Sequence, residues 1–414
     1  MVMNTWDVII IGGGAAGFFA AINAKIHNAD LRIVILEQSK DVLNKVRISG
    51  GGRCNVTHNC FDSRTLTSYY PRGQRELLGP FHIFNAKDTV TWFEDNGVKL
   101  YTEPDGCMFP VSNSSDTIIQ CFMHLARKYH IEVIKNAKVK DFTYNEEKKH
   151  KFEVVADDQL YRSSILMIAT GSSPFVWSML ENHGYKIVPP CPSLFTFNLP
   201  QHPISTLMGL VVKNVQVSIK DSKIVTDGPL LITHWGLSGP AILKASAWGA
   251  TLLAERKYDF TAFVDWIPEV GKEEITFMRE SMAKKKVTAN ALFGLPARLW
   301  QFLIEQVLVD KEKNWASLSK VEMSDIVTQL KKCSFAVKGK TTFKEEFVTA
   351  GGVSLDQINF KTFGSKLHPG LYMAGEVINI DAVTGGFNFQ AAWTGGYIAA
   401  MDMARNVALT SHSD

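Results

Sequence analysis

A chain of 414 residues is too long for one simple core and predicts two or three domains, and 46% hydrophobic with 21% charged residues describes an ordinary soluble globular protein. Six scattered cysteines with no C-x-x-C pair exclude a zinc knuckle and a thioredoxin-type redox pair, and fit a reducing cytosol. The net charge of +3 is unevenly spread: residues 281–344 carry 12 Lys and Arg against 5 Asp and Glu, a net of +7 that leaves −4 for the remainder.

Residues 7–11 read as a strand running into Gly12-Gly13-Gly14-Ala15-Ala16-Gly17, then a helix, then a second strand over 31–36 that ends at Glu37. Strand, glycine turn, helix, strand and terminal acid follow in the order a dinucleotide site requires. Gly12 permits the tight turn, Gly14 lets a pyrophosphate approach the backbone, and Gly17 lets the helix pack on the sheet. Ala15 and Ala16 open the helix whose free N–H groups face the phosphates. Glu37, with Gln38 beside it, is placed to hold the ribose hydroxyls. Asp7 and the glycines interrupt this apolar start, so it does not read as a signal peptide, and no apolar run reaches membrane-spanning length. The expected compartment is the cytoplasm, with no membrane and no metal.

Next comes Lys45-Val46-Arg47-Ile48-Ser49-Gly50-Gly51-Gly52-Arg53-Cys54-Asn55, a strip that must cross the mouth of the nucleotide site. Its glycines leave room for a flat ring, and Lys45, Arg47 and Arg53 offer cations to phosphates or to a reduced flavin, so FAD fits better than NAD. Cys54 and Cys60 lie six residues apart, not at the five-residue offset of flavin disulfide reductases, and read as packing thiols.

Helices are expected over 86–96 and 115–129, and strands over 98–101, 131–134, 152–155 and 165–169, with a hairpin tip at 145–150. Val139 starts a strand and is expected to meet adenine through its backbone, and Thr170-Gly171 closes the last of these strands as in many flavoproteins. Pro189, Pro190 and Pro192 mark a boundary. Short strands at 194–197, 210–219 and 230–233 suggest a small β domain, followed by helices at 273–286, 296–309 and 324–332. The chain then returns to a strand over 370–374 and a helix over 388–404. Gly375-Glu376 ends that strand like the segment that binds the ribityl chain of FAD through its carboxylate. Thr384-Gly385-Gly386-Phe387-Asn388-Phe389-Gln390 opens the helix, whose positive end would stabilise the anionic reduced flavin.

On these motifs the chain resembles the HI0933-like flavoprotein family nearly end to end. The resemblance rests on Ser49 to Asn55, Thr233-His234-Trp235-Gly236-Leu237-Ser238-Gly239-Pro240, Thr349-Ala350-Gly351-Gly352-Val353 and Gly375 to Gln390. It implies an α/β fold: a Rossmann-like FAD-binding domain of glutathione-reductase type (1–189 and 341–414), interrupted by a β-barrel-like insertion (190–270 and 325–340) and a helical subdomain (271–324). Two positions depart from the family pattern. Cys107-Met108 precede Phe109-Pro110 where an Arg is usual, and Asn379 stands where Asp is usual.

The expected activity is FAD-dependent oxidoreduction by hydride transfer. With a single G-x-G-x-x-G, any NAD(P)H donor binds transiently, and the insertion looks like a substrate-choosing cap. Three substrates stay open: an unsaturated small molecule, an amine oxidised with oxygen as acceptor, or a uracil base in RNA. In the last case Lys284, Lys285, Lys286, Lys331, Lys332, Lys338, Lys340 and Lys344 hold phosphates, against the alternative of a solvated helical face. A further alternative is a binding module that FAD merely stabilises. His234 is the one candidate acid or base, against a structural histidine bonded to backbone.

Overall fold

The computed structural model describes residues 4–341 and 348–410. Lys344, one of the lysines read as phosphate-binding, lies outside the described residues. The chain divides into two compact units, Met1–Pro190 with Val348–Asp414, and Cys191–Phe347.

The first unit opens with β1 (Asn4–Ile11), α1 (Ala15–His27), β2 (Ile33–Leu36), α2 (Asn44–Gly52), β3 (Thr57–His58), α3 (Ser63–Thr67), α4 (Leu78–Ile83) and α5 (Ala86–Asp95). It continues with β4 (Leu100–Thr102), β5 (Cys107–Pro110), α6 (Ser115–Lys128), β6 (Glu132–Ile134), β7 (Val139–Tyr144), β8 (Phe152–Ala156), β9 (Gln159–Ile168), α7 (Pro174–Asn182) and β10 (Ile187–Pro192). After the second unit it resumes with β18 (Thr349–Val353), β19 (Ile358–Asn359), β20 (Gly364–Ser365), β21 (Leu371–Met373) and α12 (Phe387–Thr410).

Its main sheet runs β6-β2-β1-β9-β21 in parallel, with β8 antiparallel to β9 and the β19–β20 hairpin at the far edge. Parallel strands buried on both faces read as continuous apolar runs, which is what Val8–Ile11 and the whole of β2 are. Register aligns Val8 with Ile33 on one side and Ile165 on the other. Phe19 of α1, Trp92 of α5, Phe122 of α6 and Trp393 of α12 interlock, with Phe19 4.5 Å from Trp92 and 5.3 Å from Trp393 between ring centres. Gly396 lets α12 approach α1, since a Cβ there would lie 2.9 Å from the Ala16 carbonyl oxygen.

The helices expected at 86–96 and 115–129 are α5 and α6, capped by Asn85 and Ser114. Helix α7 was not expected, although Ser173 followed by Pro174 is a start signal. The strip at 45–55, read as part of a loop, instead begins as α2 and leaves helical geometry at Ser49, with Gly50, Gly51 and Gly52 all at positive φ.

The second unit contains an antiparallel sheet of β11 (Thr196–Asn198), β12 (Val211–Ile219), β13 (Val225–Ile232), β14 (Gly236–Ser238), β15 (Asp259–Asp265), β16 (Cys333–Lys338) and β17 (Lys340–Thr341). Its order is β16-β15-β12-β13-β14-β11-β17, so the two ends of the sheet are successive stretches of chain joined at Gly339. Helix α8 (Pro240–Glu255) packs Ala241, Ile242 and Ala245 into the core of this sheet, where only strands were expected. Helices α9 (Lys272–Ser281), α10 (Ala297–Glu305) and α11 (Lys320–Lys331) share that core through Ile275, Trp300, Leu303 and Ile326, which lie with Trp266 and Phe335.

Candidate functional site

The glycine turn between β1 and α1 is built by close backbone approach. Gly12 has φ +108°, and a Cβ there would stand 2.6 Å from the Ala169 carbonyl oxygen. A Cβ on Gly17 would lie 2.2 Å from the Gly12 carbonyl oxygen, so both positions are closed to other residues. Gly14 is the N-cap of α1 and no side chain caps that helix, leaving the first-turn N–H groups of Ala15, Ala16 and Gly17 for an anion. Glu37 accepts from Gly13 N–H and from Ser39 N–H, each at 2.8 Å, through different carboxylate oxygens. One lone pair remains on each oxygen, enough for two ribose hydroxyls. Gln38 beside it is exposed. Val139 is buried at the start of β7, two residues after Ala137, whose N–H donates to the Glu37 carbonyl at 2.8 Å.

The ring strip is assembled from α2 and the turn after it. Gly50, Gly51 and Gly52 all have positive φ, and a Cβ on Gly51 or Gly52 would meet nothing within 4 Å. Arg53 pairs with Glu103 at 2.6 Å and lies 4.0 Å over the Phe109 ring, while Arg47 pairs with Asp116 at 2.7 Å. These two cations are therefore engaged within the unit. Ser49 Oγ donates to the Val46 carbonyl, and its own carbonyl accepts from Cys54 N–H. Cys54 is fully buried, and burial pushes its thiol up to about 12, so it holds its proton at neutral pH. Both it and the partly buried Cys60 are free thiols. Asn55, with its amide oriented to satisfy its neighbours, donates to the Thr57 carbonyl at 2.9 Å and accepts from Gly386 N–H at 3.1 Å.

At the other end of the sheet, Gly375 places its α-carbon against Ala16, with 3.4 Å from an added Cβ to the Ala16 Cβ. Glu376 forms an ion pair with Lys45, which also reaches Ser172 Oγ at 3.3 Å, and Gly171 lies beside both charges. Lys45, Gly171 and Glu376 thus come together although they are far apart in sequence. The Thr170 hydroxyl is buried with no partner among the described residues. A small cavity runs between Glu376 and Asn388, lined also by Gly375 and Ile380.

The residues that open α12 hold protein rather than face outward. Gln390 is fully buried: its carbonyl accepts from Thr57 Oγ1 (2.6 Å) and Thr89 Oγ1 (2.9 Å), and its amide donates to Thr394 Oγ1 (3.1 Å). Asn388 exchanges two hydrogen bonds with the backbone of Ala382, and Phe389 stacks on Trp393. Because Asn55 takes the Gly386 N–H, the N–H of Gly385, at positive φ, is the group of this turn with no protein acceptor among the described residues. Sequence reading overlooked His58 and Tyr69, whose rings stack on Phe387 beside this turn, and the Arg72–Asp381 ion pair. Tyr69-Tyr70-Pro71-Arg72-Gly73 matches no motif, and its partners lie far away in sequence.

Elsewhere, His234 belongs to the second unit, on the turn between β13 and β14, where it is exposed and edge-on to Trp235. Asn379, at one of the two departures, accepts from Gly351 N–H at 3.0 Å and ties β18 to the segment after Glu376. At the other departure, burial pushes the Cys107 thiol up to about 11.

The residues present fit FAD. The α1 end offers uncapped N–H groups, the glycines leave space that a Cβ would fill, and Thr170 presents a buried hydroxyl without a partner. Parallel sheet, glycine turn and ring strip together define the class, a Rossmann-fold FAD-dependent oxidoreductase. The model of the HI0933-like protein Rossmann domain matches residues 6–402, and the chain belongs to the HI0933-like family. The ribosomal RNA dihydrouridine synthase of Haemophilus influenzae is 27% identical over 410 residues, covering 96% of this chain and 98% of its own. The 3-dehydro-bile acid delta(4,6)-reductase of Clostridium scindens is 25% identical over 405 residues, covering 94% and 97%. Among solved structures, the 3-ketosteroid-delta4-(5alpha)-dehydrogenase of Rhodococcus jostii RHA1 shares the fold with a TM-score of 0.52 at 13% identity, covering 97% of each chain. Among the described residues no helix is long and apolar enough to cross a membrane, and no cluster of His, Cys, Asp or Glu is disposed to hold a metal.

Proposed function

We propose that the protein is a cytoplasmic flavin-dependent reductase that delivers hydride to an unsaturated small molecule, with NAD(P)H as a transient electron donor. Bound FAD supplies the hydride chemistry. In this reading Gly12, Gly14, Ala15, Ala16 and Gly17 hold the pyrophosphate, Glu37 and Gln38 border the ribose, and Val139 meets adenine. Ser49 to Asn55 border the ring, and Thr170, Gly171, Lys45, Gly375 and Glu376 hold the ribityl chain. Gly385 presents its backbone N–H to the pyrimidine, and Gly386, Asn388, Phe389 and Gln390 hold the turn in place.

The observation that carries direct hydride transfer is the state of Cys54. Cys54 is fully buried and is a free thiol with no partner cysteine, an environment suited to packing and not to electron relay, which supports chemistry carried by the flavin itself. Relatives named as a reductase and as a dihydrouridine synthase support the reductive direction. The second name also favours a second reading, reduction of a uracil base in RNA.

The test is anaerobic titration of the flavin-loaded protein with NADPH and NADH, following oxidised-flavin absorbance. Rapid bleaching supports the reductase. Persistent yellow colour overturns the nicotinamide-driven reading and points to a substrate-oxidising enzyme.

A further inference from the structure

Residues 69–73 lie between α3 and α4, outside every motif above, and are stitched along the stretch 380–387. Val383 N–H donates to the Tyr69 carbonyl at 3.0 Å, and the Tyr70 hydroxyl donates to the Phe387 carbonyl at 2.6 Å in the first turn of α12. Arg72 grips Asp381 through Nε and Nη2, one carboxylate oxygen each, and the two residues also form an antiparallel bridge. Gly73 packs so closely that a Cβ on it would lie 2.7 Å from Ile380 Cγ1. Asn388 holds the same stretch from within, through both backbone groups of Ala382.

Asp381 has no exposure to solvent, and the Arg72 side chain is 15% exposed. A buried carboxylate needs a cation and well-directed donors. The planar guanidinium fork supplies two parallel hydrogen bonds that fix angle as well as distance, whereas an ammonium supplies a point charge. The arrangement therefore constrains where the chain runs between Asp381 and Phe387, and so where the Gly385 N–H points.

We propose that Arg72 is a positioning residue for the flavin: through Asp381 it fixes the turn whose Gly385 N–H stabilises the reduced ring. The inference rests on the reading above in which that turn faces the flavin pyrimidine. Arg72 itself touches neither cofactor nor substrate in this account. Its effect is on how strongly the reduced form is preferred over the oxidised form.

The test is R72K, which keeps the charge and loses the fork, with midpoint potential measured by dye-coupled reduction and folding checked by circular dichroism. The expected result is a folded, FAD-loaded protein whose preference for reduced over oxidised flavin falls about tenfold, a potential about 30 mV more negative for a two-electron couple. Y70F removes the neighbouring hydrogen bond to the same turn without disturbing a buried charge, and is expected to shift the potential in the same direction. It keeps the test valid if R72K does not fold. Either variant, folded and loaded yet with wild-type potential, overturns the inference. Wild-type protein that binds no FAD overturns the cofactor reading beneath it, a result distinguishable because no potential can then be measured.

Discussion

Glu37 shows how one side chain organises the turn proposed to hold the nucleotide. Its carboxylate accepts from Gly13 N–H and Ser39 N–H and keeps lone pairs for a ligand, so its removal acts twice. Hydrogen bonds to a charged group contribute about 1.5–3 kcal/mol, so E37A should weaken FAD binding roughly tenfold to a hundredfold. Fluorescence quenching on titrating apoprotein with FAD measures this, and unchanged affinity would count against the whole assignment of the site. Gln390 behaves differently. Its motif position pointed to the cofactor, but its amide is taken up by Thr57, Thr89 and Thr394. Q390L leaves two buried hydroxyls without their acceptor and should cost about 1–3 kcal/mol of stability, read as a lowered urea midpoint.

At the scale of elements, three histidines are partly buried by neighbouring helices and strands. His58 ends β3, His202 accepts from Ile204 N–H through Nδ1 at 3.1 Å, and His368 lies in the loop before β21, bonded through Nδ1 to the Tyr185 hydroxyl at 2.9 Å. In each case burial is the main cause and lowers the pKa from the ordinary value of 6.5. The fold thus favours the neutral ring, and below pH 6.5 the unfolded chain binds more protons than the native one. Stability from this source is fully present above about pH 6.5 and is lost as pH falls below it, through the lowered native values. Urea midpoints measured between pH 8 and pH 5 should fall toward the acid end, and H368N should flatten part of that slope. A slope unchanged by H368N would remove His368 from the account. The helices α5, α6 and α12 were legible because capping residues and apolar spacing are local. Helix α8 was missed because Gly239 and Pro240 read as turn residues, while the same Pro-at-start pattern opens a helix.

For the whole molecule, the question is whether the basic stretch binds RNA. Its charge is partly neutralised by its own unit: Lys286 pairs with Glu312, Lys311 with Glu305, Lys313 with Glu322 and Lys331 with Asp265. Lys332 and Lys340 lie over the rings of Phe263 and Tyr258. Among the other described residues of the stretch, Lys284, Lys285, Arg298, Lys320 and Lys338 are exposed without an ion pair. Five phosphate contacts at about −0.7 each give a log–log salt slope of roughly −3.5 for a single strand. Anisotropy of a labelled RNA across a potassium chloride series checks this, and a much steeper slope would restore the segment as an RNA-binding face.

The sequence by itself determined the dinucleotide half of this protein. Glycine spacing, the β-α-β period and the acid at Glu37 are all local, because a tight turn and a helix end constrain neighbouring residues directly. Tertiary structure alone decided which side chains are free to act. Gln390 meets Thr57 across 333 positions, Lys45 meets Glu376 across 331, and Arg72 meets Asp381 across 309. Such pairs leave no period or spacing in the chain, because a hydrogen bond between distant residues depends on how the elements pack, not on what precedes or follows either partner.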